Sequence, residues 1–471
     1  MIAEALEPAL EGARAWLVGG ALRDRLLGRA TPDLDVAVDG DPEPVARRLA
    51  RRAGGTAFEL SEAFRAWRVV ARDHSWQVDL TPLQGGTLAA DLAGRDLTVN
   101  AMAEPVGGGA LFDPHGGRAD LDARRLRMVA REAFAADPLR VVRLARLAVE
   151  LGFAVEPTTE QAARAQAPAL AAVAPERLFA ELRRIVVADA APRGLELLDA
   201  LGATRLVLPE LDALRGVEQS RYHHRDVHGH TVEVLEQVIA LERDPGRALG
   251  AELAEPTRAL LDAPLADGLT RGGALRFGAL LHDVAKPRTR VELPGGRVGF
   301  PGHDEQGAAL ARAALERLRA SERLRAHVAA LARHHLRLGF LVHAAPLNRR
   351  ALYAYLVACE PVELDVTLLS VADRLATRGR KADEAIARHL ELARQVLAAG
   401  FERRAAAARA PLVRGDELAR AVGIEPGPQL GALLEAIEEA RFAGDVATRE
   451  QAVALALSHL RRAPAPPPRT P

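Results

Sequence analysis

Cysteine is almost missing from this chain: Cys359 is the only one. A single thiol excludes an internal disulfide framework, a cysteine-based zinc knuckle and an iron–sulfur site, and it suits a reducing compartment. Aromatic residues are scarce, at 4%. Long apolar runs are also absent. No uncharged apolar stretch reaches 18 residues, and Met1 to Ala15 carries three glutamates with no basic-then-apolar pattern. Both features argue against membrane spanning and secretion, so a cytoplasmic protein without a membrane partner is expected. Neither sign of charge dominates. With 63 Lys and Arg against 63 Asp and Glu, the overall charge announces no polyanionic partner. Lysine itself is nearly lacking, present only as Lys286 and Lys381. Beside so much Ala and Gly, arginine richness of this kind follows from coding bias, so the position of each arginine matters more than the count. What remains is 471 residues, 49% hydrophobic and 27% charged, the composition of a globular protein of about three domains.

Residues 1–122 carry mixed α/β signals. Ala15 to Val18 is a short apolar run ending in Gly19-Gly20 and leading into a helical pattern from Leu22 to Leu27. Asp33 to Val38, Ala66 to Ala71 and Ser75 to Leu80 are further strand candidates. From Arg124 the strand signals fade, and Leu139, Val142, Leu147, Leu178, Leu182 and Ile185 recur at helical spacing. Ten of the 14 histidines then fall between His223 and His343, which marks a separate helical domain suited to metal. The expected class is α+β: a small mixed sheet with helices at 1–122, a helical neck at 123–218, a histidine-rich domain at 219–385 and a helical tail at 386–462. The proline-rich end, 463–471, is expected to be disordered.

A Gly-Gly pair between a strand and a helix lets backbone N–H groups approach a polyphosphate without obstruction by Cβ, although an ordinary turn uses the same residues. Asp33 and Asp35 sit two apart on one strand, so both carboxylates share a face. Two carboxylates that close repel unless a cation lies between them, which points to Mg²⁺. Asp79, on a neighbouring strand, could supply a third, enough for two metals and an in-line phosphoryl displacement.

Further motifs follow in order: Arg95-Asp96-Leu97-Thr98-Val99-Asn100-Ala101, then Asp113-Pro114-His115-Gly116-Gly117-Arg118-Ala119-Asp120-Leu121. Together with Gly19-Gly20, Arg23-Asp24 and Asp33-Leu34-Asp35, this set resembles the bacterial class II tRNA nucleotidyltransferases and their relatives, the bacterial poly(A) polymerases. The resemblance implies a nucleotidyltransferase palm in which Asp33 and Asp35 hold Mg²⁺ and Asp79 completes the carboxylates. It places Gly19, Gly20 and Arg23 by the triphosphate, and Arg95, Asp96 and Asn100 where ribose and phosphates are positioned. The expected partners are tRNA, CTP and ATP. One departure is Gly94, which stands where the family has a first arginine.

Asp137-Pro138 starts a helix, with an N-cap type residue before proline at the first helical position. Asp137, Arg140 and Arg143 recur at three-residue spacing on one face. The set matches the family motif whose Asp and Arg template the incoming base. A carboxylate accepts from the exocyclic amine of C or A, while arginine donates to a ring acceptor; U and G offer the wrong polarity. Arg143 and Arg146 would then contact phosphate or RNA, and Ala136 stands where the family has glutamate. Glu176 to Leu182 resembles the next motif, on a supporting helix. Arg124 to Arg146 holds seven arginines against Glu132 and Asp137, a strip suited to an RNA backbone unless coding bias alone made it.

His230, His282-Asp283 and Asp373 follow the H…HD…D order of HD-type metal phosphohydrolases, with Lys286 placed to meet a substrate phosphate. Such donors suit Mn, Ni, Fe or Zn. His303, His334 and His335 extend the set toward a second metal, although His334 and His335 cannot both point inward from one helix. The combined expectation is an enzyme that adds C or CCA to tRNA 3′ ends with release of pyrophosphate, its HD domain hydrolysing phosphomonoesters or 2′,3′-cyclic phosphates. A poly(A) polymerase, and an HD phosphohydrolase using the palm only to bind RNA, are the rivals. Family members that add CCA carry a flexible segment between the third-carboxylate strand and the Arg-Asp motif. Here only Pro82 to Ala90 fills that interval, as in CC-adding members, so addition of two C residues is expected.

Overall fold

The computed structural model describes residues 2–62, 64–219, 224–377, 382–407 and 410–462. His223 and the proline-rich end from Ala463 lie outside the described residues. The chain forms two compact units, Met1–Val207 and Leu208–Pro471, and its class is α+β.

The first unit is built on six strands, β1 (Ala15–Val18), β2 (Asp33–Val38), β3 (Gly55–Ser61), β4 (Ala66–Ala71), β5 (Gln77–Pro82) and β6 (Ala103–Pro105), in the spatial order β3-β4-β5-β2-β1-β6. Only β2 and β5 run parallel; the other pairs are antiparallel. Its helices begin with α1 (Ile2–Leu10), α2 (Gly19–Leu26), α3 (Pro42–Ala53), α4 (Leu88–Ala93) and α5 (Gly117–Asp122). Alternation along β2 and β5 puts Val36, Val38, Val78 and Leu80 into the core with Val45 and Leu49 of α3, all 1% exposed or less. Each such side chain contributes about 1.5–3 kcal/mol by leaving water. The opposite face of the same two strands carries Asp35 and Asp79. Strand β3 was not legible from sequence because it is an edge strand with mostly exposed side chains.

The helices α6 (Arg140–Leu151), α7 (Pro175–Val187) and α8 (Ala191–Ala200) follow. They are not an all-helical segment as expected. Arg125–Leu126 and Ala154–Val155 pair as a two-residue parallel bridge, too short to leave a periodic signal.

The second unit holds α9 (Val227–Arg243), α10 (Arg271–Leu281), α11 (His303–Arg317), α12 (Glu322–His334), α13 (Glu363–Leu375) and α14 (Ala382–Ala407). Helix α10 is buried from Gly272 to Leu281, and the one charged residue in that stretch, Arg276, is paired with Glu242. Gly278 permits its approach to α12, since a Cβ there would meet Leu331 Cδ1 at 2.6 Å. A hairpin, Val291–Leu293 with Arg297–Gly299, interrupts this helical unit. Cys359 is buried, and burial pushes its thiol up to about 11, so it packs rather than reacts. Helices α15 (Gly415–Val422), α16 (Pro428–Ala443) and α17 (Arg449–Arg462) close over a core of Leu418, Leu433, Ile437 and Ala452. Among the described residues no helix is long and apolar enough to cross a membrane.

Candidate functional sites

Helix α2 starts directly from the end of β1, and no side chain caps it. The backbone N–H groups of Gly20 and Ala21, at its first turn, favour the charged form of the Asp35 carboxylate on β2. Gly19, at φ 65°, makes the turn, and a Cβ there would lie 2.9 Å from Asp35 Oδ2 and 3.1 Å from an Arg95 guanidinium nitrogen. Glycine is required both by conformation and by space. Asp35 stands in register with Asp79 across the parallel pair. Burial and the Asp79 charge push the Asp35 carboxyl up, against the opposing pull of Arg95. Crowded, desolvated oxygen donors of this kind fit a hard divalent cation.

Sequence reasoning missed Arg68. It faces Asp79 from β4 and grips both carboxylate oxygens, Nε to Oδ1 and Nη2 to Oδ2, each at 2.7 Å. Its only sequence signal was a basic residue inside a strand candidate, and strand pairing alone reveals the partner.

A cavity of about 300 Å³ is lined by Gly19, Gly20, Asp35, Asp79, Arg95, Asp96, Asn100, Arg140 and Arg143 among others. Thus the structure brings together most of the predicted nucleotide site. Four predicted residues do not line it. Asp33 lies two residues earlier on β2, exposed and near Arg68. Arg23 is buried behind the wall, donating from Nη1 to Asn100 Oδ1 at 2.7 Å and bracing Asp24. Asp137 accepts from Leu139 N at 3.3 Å, as a capping residue does, and from Arg177 Nη2 at 2.8 Å. Arg146 is buried and paired with Glu181 and with Glu150, so it faces no ligand here.

The loop carrying Asp96 and Asn100 is rigidly held. Asn100 Nδ2 donates to Asp96 Oδ1 at 3.0 Å, and Arg143 stands 3.6 Å from the other oxygen. Burial alone would raise the Asp96 carboxyl, but Arg143, Asn100 and Leu97 N hold it below the usual range. Thr98 Oγ1 donates to Asp120 Oδ2 at 2.7 Å, Asp113 caps α5 through Gly117 N and Arg118 N, and Arg125 and Arg127 clasp Asp120. The Asp113 to Leu121 motif is therefore a brace for the Arg95 to Asn100 loop. Arg140 donates to the carbonyls of Gly94, Arg95 and Ala133, and Glu181 of α7 holds both Arg143 and Arg146. Five arginines of the expected RNA strip are thus engaged within the protein, and Arg124 and Arg131 remain exposed.

In the second unit, His230 enters from α9, His282 and Asp283 from the end of α10, His303 from α11, His335 from just beyond α12 and Asp373 from α13. Two ligand groups result, His230-His282-Asp283 and Asp283-His303-His335, so Asp283 belongs to both. Three imidazoles are oriented alike: Nδ1 of His282, His303 and His335 lies 2.8, 2.6 and 2.7 Å from the carbonyls of Ala279, Phe300 and Ala332. Each ring then turns Nε2 inward, the arrangement that readies histidine for a metal. His303 Nε2 and His335 Nε2 come within 3.3 Å of each other, and His230 Nε2 lies 2.9 Å from Asp373 Oδ1. His282 Nε2 is buried without a well-directed hydrogen bond. Burial pushes His335 down to about 4, which keeps the ring neutral. Burial opposes ionisation of Asp283, yet His282 and Lys286, whose Nζ is 2.6 Å from Oδ2, hold it well below the usual range. The donors fit divalent transition metals. His334 does not join them: it faces Arg337, whose Nε lies 2.8 Å from its Nδ1, because adjacent residues at a helix end diverge.

Comparison with known proteins identifies three regions of the chain. Residues 15–127 match the poly A polymerase head domain, 152–215 a probable RNA and SrmB-binding site of polymerase A, and 227–378 the HD domain. The A-adding tRNA nucleotidyltransferase of Deinococcus radiodurans is 39% identical, covering 93% of this chain and 94% of that protein. The CC-adding tRNA nucleotidyltransferase of Thermus thermophilus is 36% identical, covering 94% and 93%. The Thermotoga maritima CCA-adding enzyme complexed with tRNA shares the fold at a TM-score of 0.61 and 18% identity, covering 98% of this chain and 95% of that one. The chain belongs to the bacterial class II tRNA nucleotidyltransferases, the family of CCA-, CC- and A-adding enzymes, and carries an HD domain.

Proposed function

We propose that this enzyme adds the two cytidines of the tRNA 3′ end from CTP and stops before the terminal adenosine. The observation that carries this reading is the short connection between β5 and α4. It spans only Leu83 to Thr87, and its Gln84 N donates to Asp91 Oδ1, while Asp91 also takes Arg95 through Oδ2. A turn tied to the aspartate that orients Arg95 has no slack with which to reshape the base pocket. Addition of A alone is the second reading, favoured by the Deinococcus relative.

In the reaction the tRNA 3′-hydroxyl oxygen bonds to the α-phosphorus, the α–β bridging P–O bond breaks, and pyrophosphate leaves. Mg²⁺ held by Asp33 and Asp35, with Asp79 beside them, would supply activation of the hydroxyl and neutralisation of the leaving oxygen. The chain's own groups do the rest. Gly19 leaves room for phosphate, Arg95 and Arg143 offset its charge, and Asn100 is fixed by Arg23 to meet the ribose. Asp137, exchanging Arg177 for the cytosine amine, and Arg140, donating to a ring acceptor, would select the base. The HD cluster would take Mn, Ni, Fe or Zn and hydrolyse phosphomonoesters or 2′,3′-cyclic phosphates.

The test is tRNA lacking CCA, incubated with CTP and ATP together and sequenced at the 3′ end. Products ending in CC are expected; predominant CCA overturns the CC reading, and addition only to tRNA already ending in CC supports the A reading. Asp35→Ala should lower incorporation at least ~100-fold, the scale of a lost main electrostatic stabiliser.

A further inference from the structure

The HD cluster opens into a cavity of about 490 Å³, far more room than a phosphoryl group on a metal pair requires. Its walls are uneven in charge. The lining carboxylates are Asp283 and Asp373, both at the His/Asp cluster, whereas Lys286, Arg374 and Arg388 bring three cations. Lys286 is committed to Asp283 and to Gln219 Oε1, 2.7 Å away. Arg374 and Arg388 are different: among the described residues neither has a carboxylate partner, and Arg374 Nε is buried with no acceptor at all. Other arginines beside cavities or in the core are engaged within the protein, Arg143 and Arg276 by glutamates and Arg140 by backbone carbonyls. Guanidinium groups left open beside a metal cluster await an anion. Phe340, also lining this cavity, is 73% exposed, more than any other large hydrophobic among the described residues. An aromatic face held in water at the rim of a phosphate pocket costs free energy unless something stacks on it.

We infer that the mouth of this cavity is a nucleotide subsite: Phe340 stacks the base, Arg374 and Arg388 hold a phosphate on its 5′ side, and the scissile phosphate lies at the His/Asp cluster. The inference rests on the hydrolase reading of that cluster. The substrate class is then a nucleotide carrying both a 5′-phosphate and a terminal 2′,3′-cyclic or 3′-phosphate, either free or as the end of an RNA strand. In hydrolysis of the cyclic form, a water oxygen bonds to phosphorus, one ring P–O bond breaks, and the released sugar oxygen takes the proton that the water loses.

The full chain loaded with Mn²⁺ or Ni²⁺ is offered p-nitrophenyl phosphate, adenosine 2′,3′-cyclic phosphate, the same nucleotide bearing a 5′-phosphate, and a short RNA ending in a cyclic phosphate. Phe340→Ala should lower kcat/KM for every nucleotide about tenfold, the scale of one lost base stack, and leave p-nitrophenyl phosphate within twofold. The double variant Arg374→Ala, Arg388→Ala should abolish the preference for the 5′-phosphorylated forms only. A higher rate on the RNA identifies the strand end as source, and equal rates identify the free nucleotide. Binding is measured separately, by calorimetry with adenosine 3′,5′-bisphosphate on wild type and both variants, so that the constant contribution of the palm cancels. If the wild type hydrolyses none of the probes, the hydrolase reading fails, and weaker bisphosphate binding by both variants still upholds the subsite. Equal losses on all probes, or unchanged bisphosphate affinity in both variants, overturn it.

Discussion

At the scale of single residues, the palm works by placing charges where water cannot relieve them. Asp35 is crowded by Asp79, and Arg68 already satisfies Asp79, so the proposed Mg²⁺ would rest on Asp35 and the neighbouring Asp33. The placement of Asp33 and Asp35 on one strand was readable because strand alternation is local. Arg68 was not, because its partner comes from another strand. Asp96 offers the clearest pH test. Its carboxyl is held below the usual range in the folded protein, so it contributes stability above the unfolded value near pH ~4, and that contribution is lost as pH falls through the lower folded value. Asp96→Asn should cost about 2 kcal/mol at pH 7, and the difference from wild type in denaturant midpoints should shrink steadily below pH ~4. A difference constant with pH would mean that the Arg143 charge is not what depresses it.

At the scale of elements, function depends on how α5 is pressed against the loop that ends at Asn100. Gly117 has an ordinary φ, yet a Cβ added there would lie 2.1 Å from the Thr98 carbonyl oxygen. Only glycine lets the helix start so close to that loop. Gly117→Ala should destabilise the first unit by about 1–3 kcal/mol through overpacking. Because the loop carries Asp96 and Asn100, KM for CTP should also rise severalfold, as steady-state kinetics would record. A lower Tm with unaltered KM would show that the loop is not coupled to the nucleotide site. Four strands that carry or flank the predicted motifs were legible from apolar runs. The edge strand β3, the three-residue β6 and the two-residue bridge were not, since elements that short or that exposed leave no periodicity. The fate of the arginine strip shows the same limit: Asp120, Glu181 and the backbone carbonyls that engage it come from elsewhere in the chain.

At the scale of the whole molecule, the proposed Mg²⁺ carboxylates Asp33 and Asp35 and the HD cluster lie in separate compact units, Met1–Val207 and Leu208–Pro471. Replacing His282 and Asp283 together by Ala should therefore abolish transition-metal uptake by the HD cluster while nucleotide addition stays within about twofold, a ratio decided by metal analysis and CTP incorporation on one preparation. Loss of incorporation with unchanged circular dichroism would show that the units are coupled. The sequence by itself determined which residues can carry this chemistry: two aspartates on one strand face, glycines at a strand end and an ordered run of histidines are all written in local spacing. Only the tertiary structure decided which of them meet. It joined Asp283 to both histidine groups, turned His334 away, gave Arg146 to Glu181 instead of a ligand, and left Arg374 and Arg388 open. Several of those outcomes depend on partners tens of residues apart, as Asp283 is from His230 and His335 and Arg146 from Glu181, and distance along the chain carries no record of proximity in space.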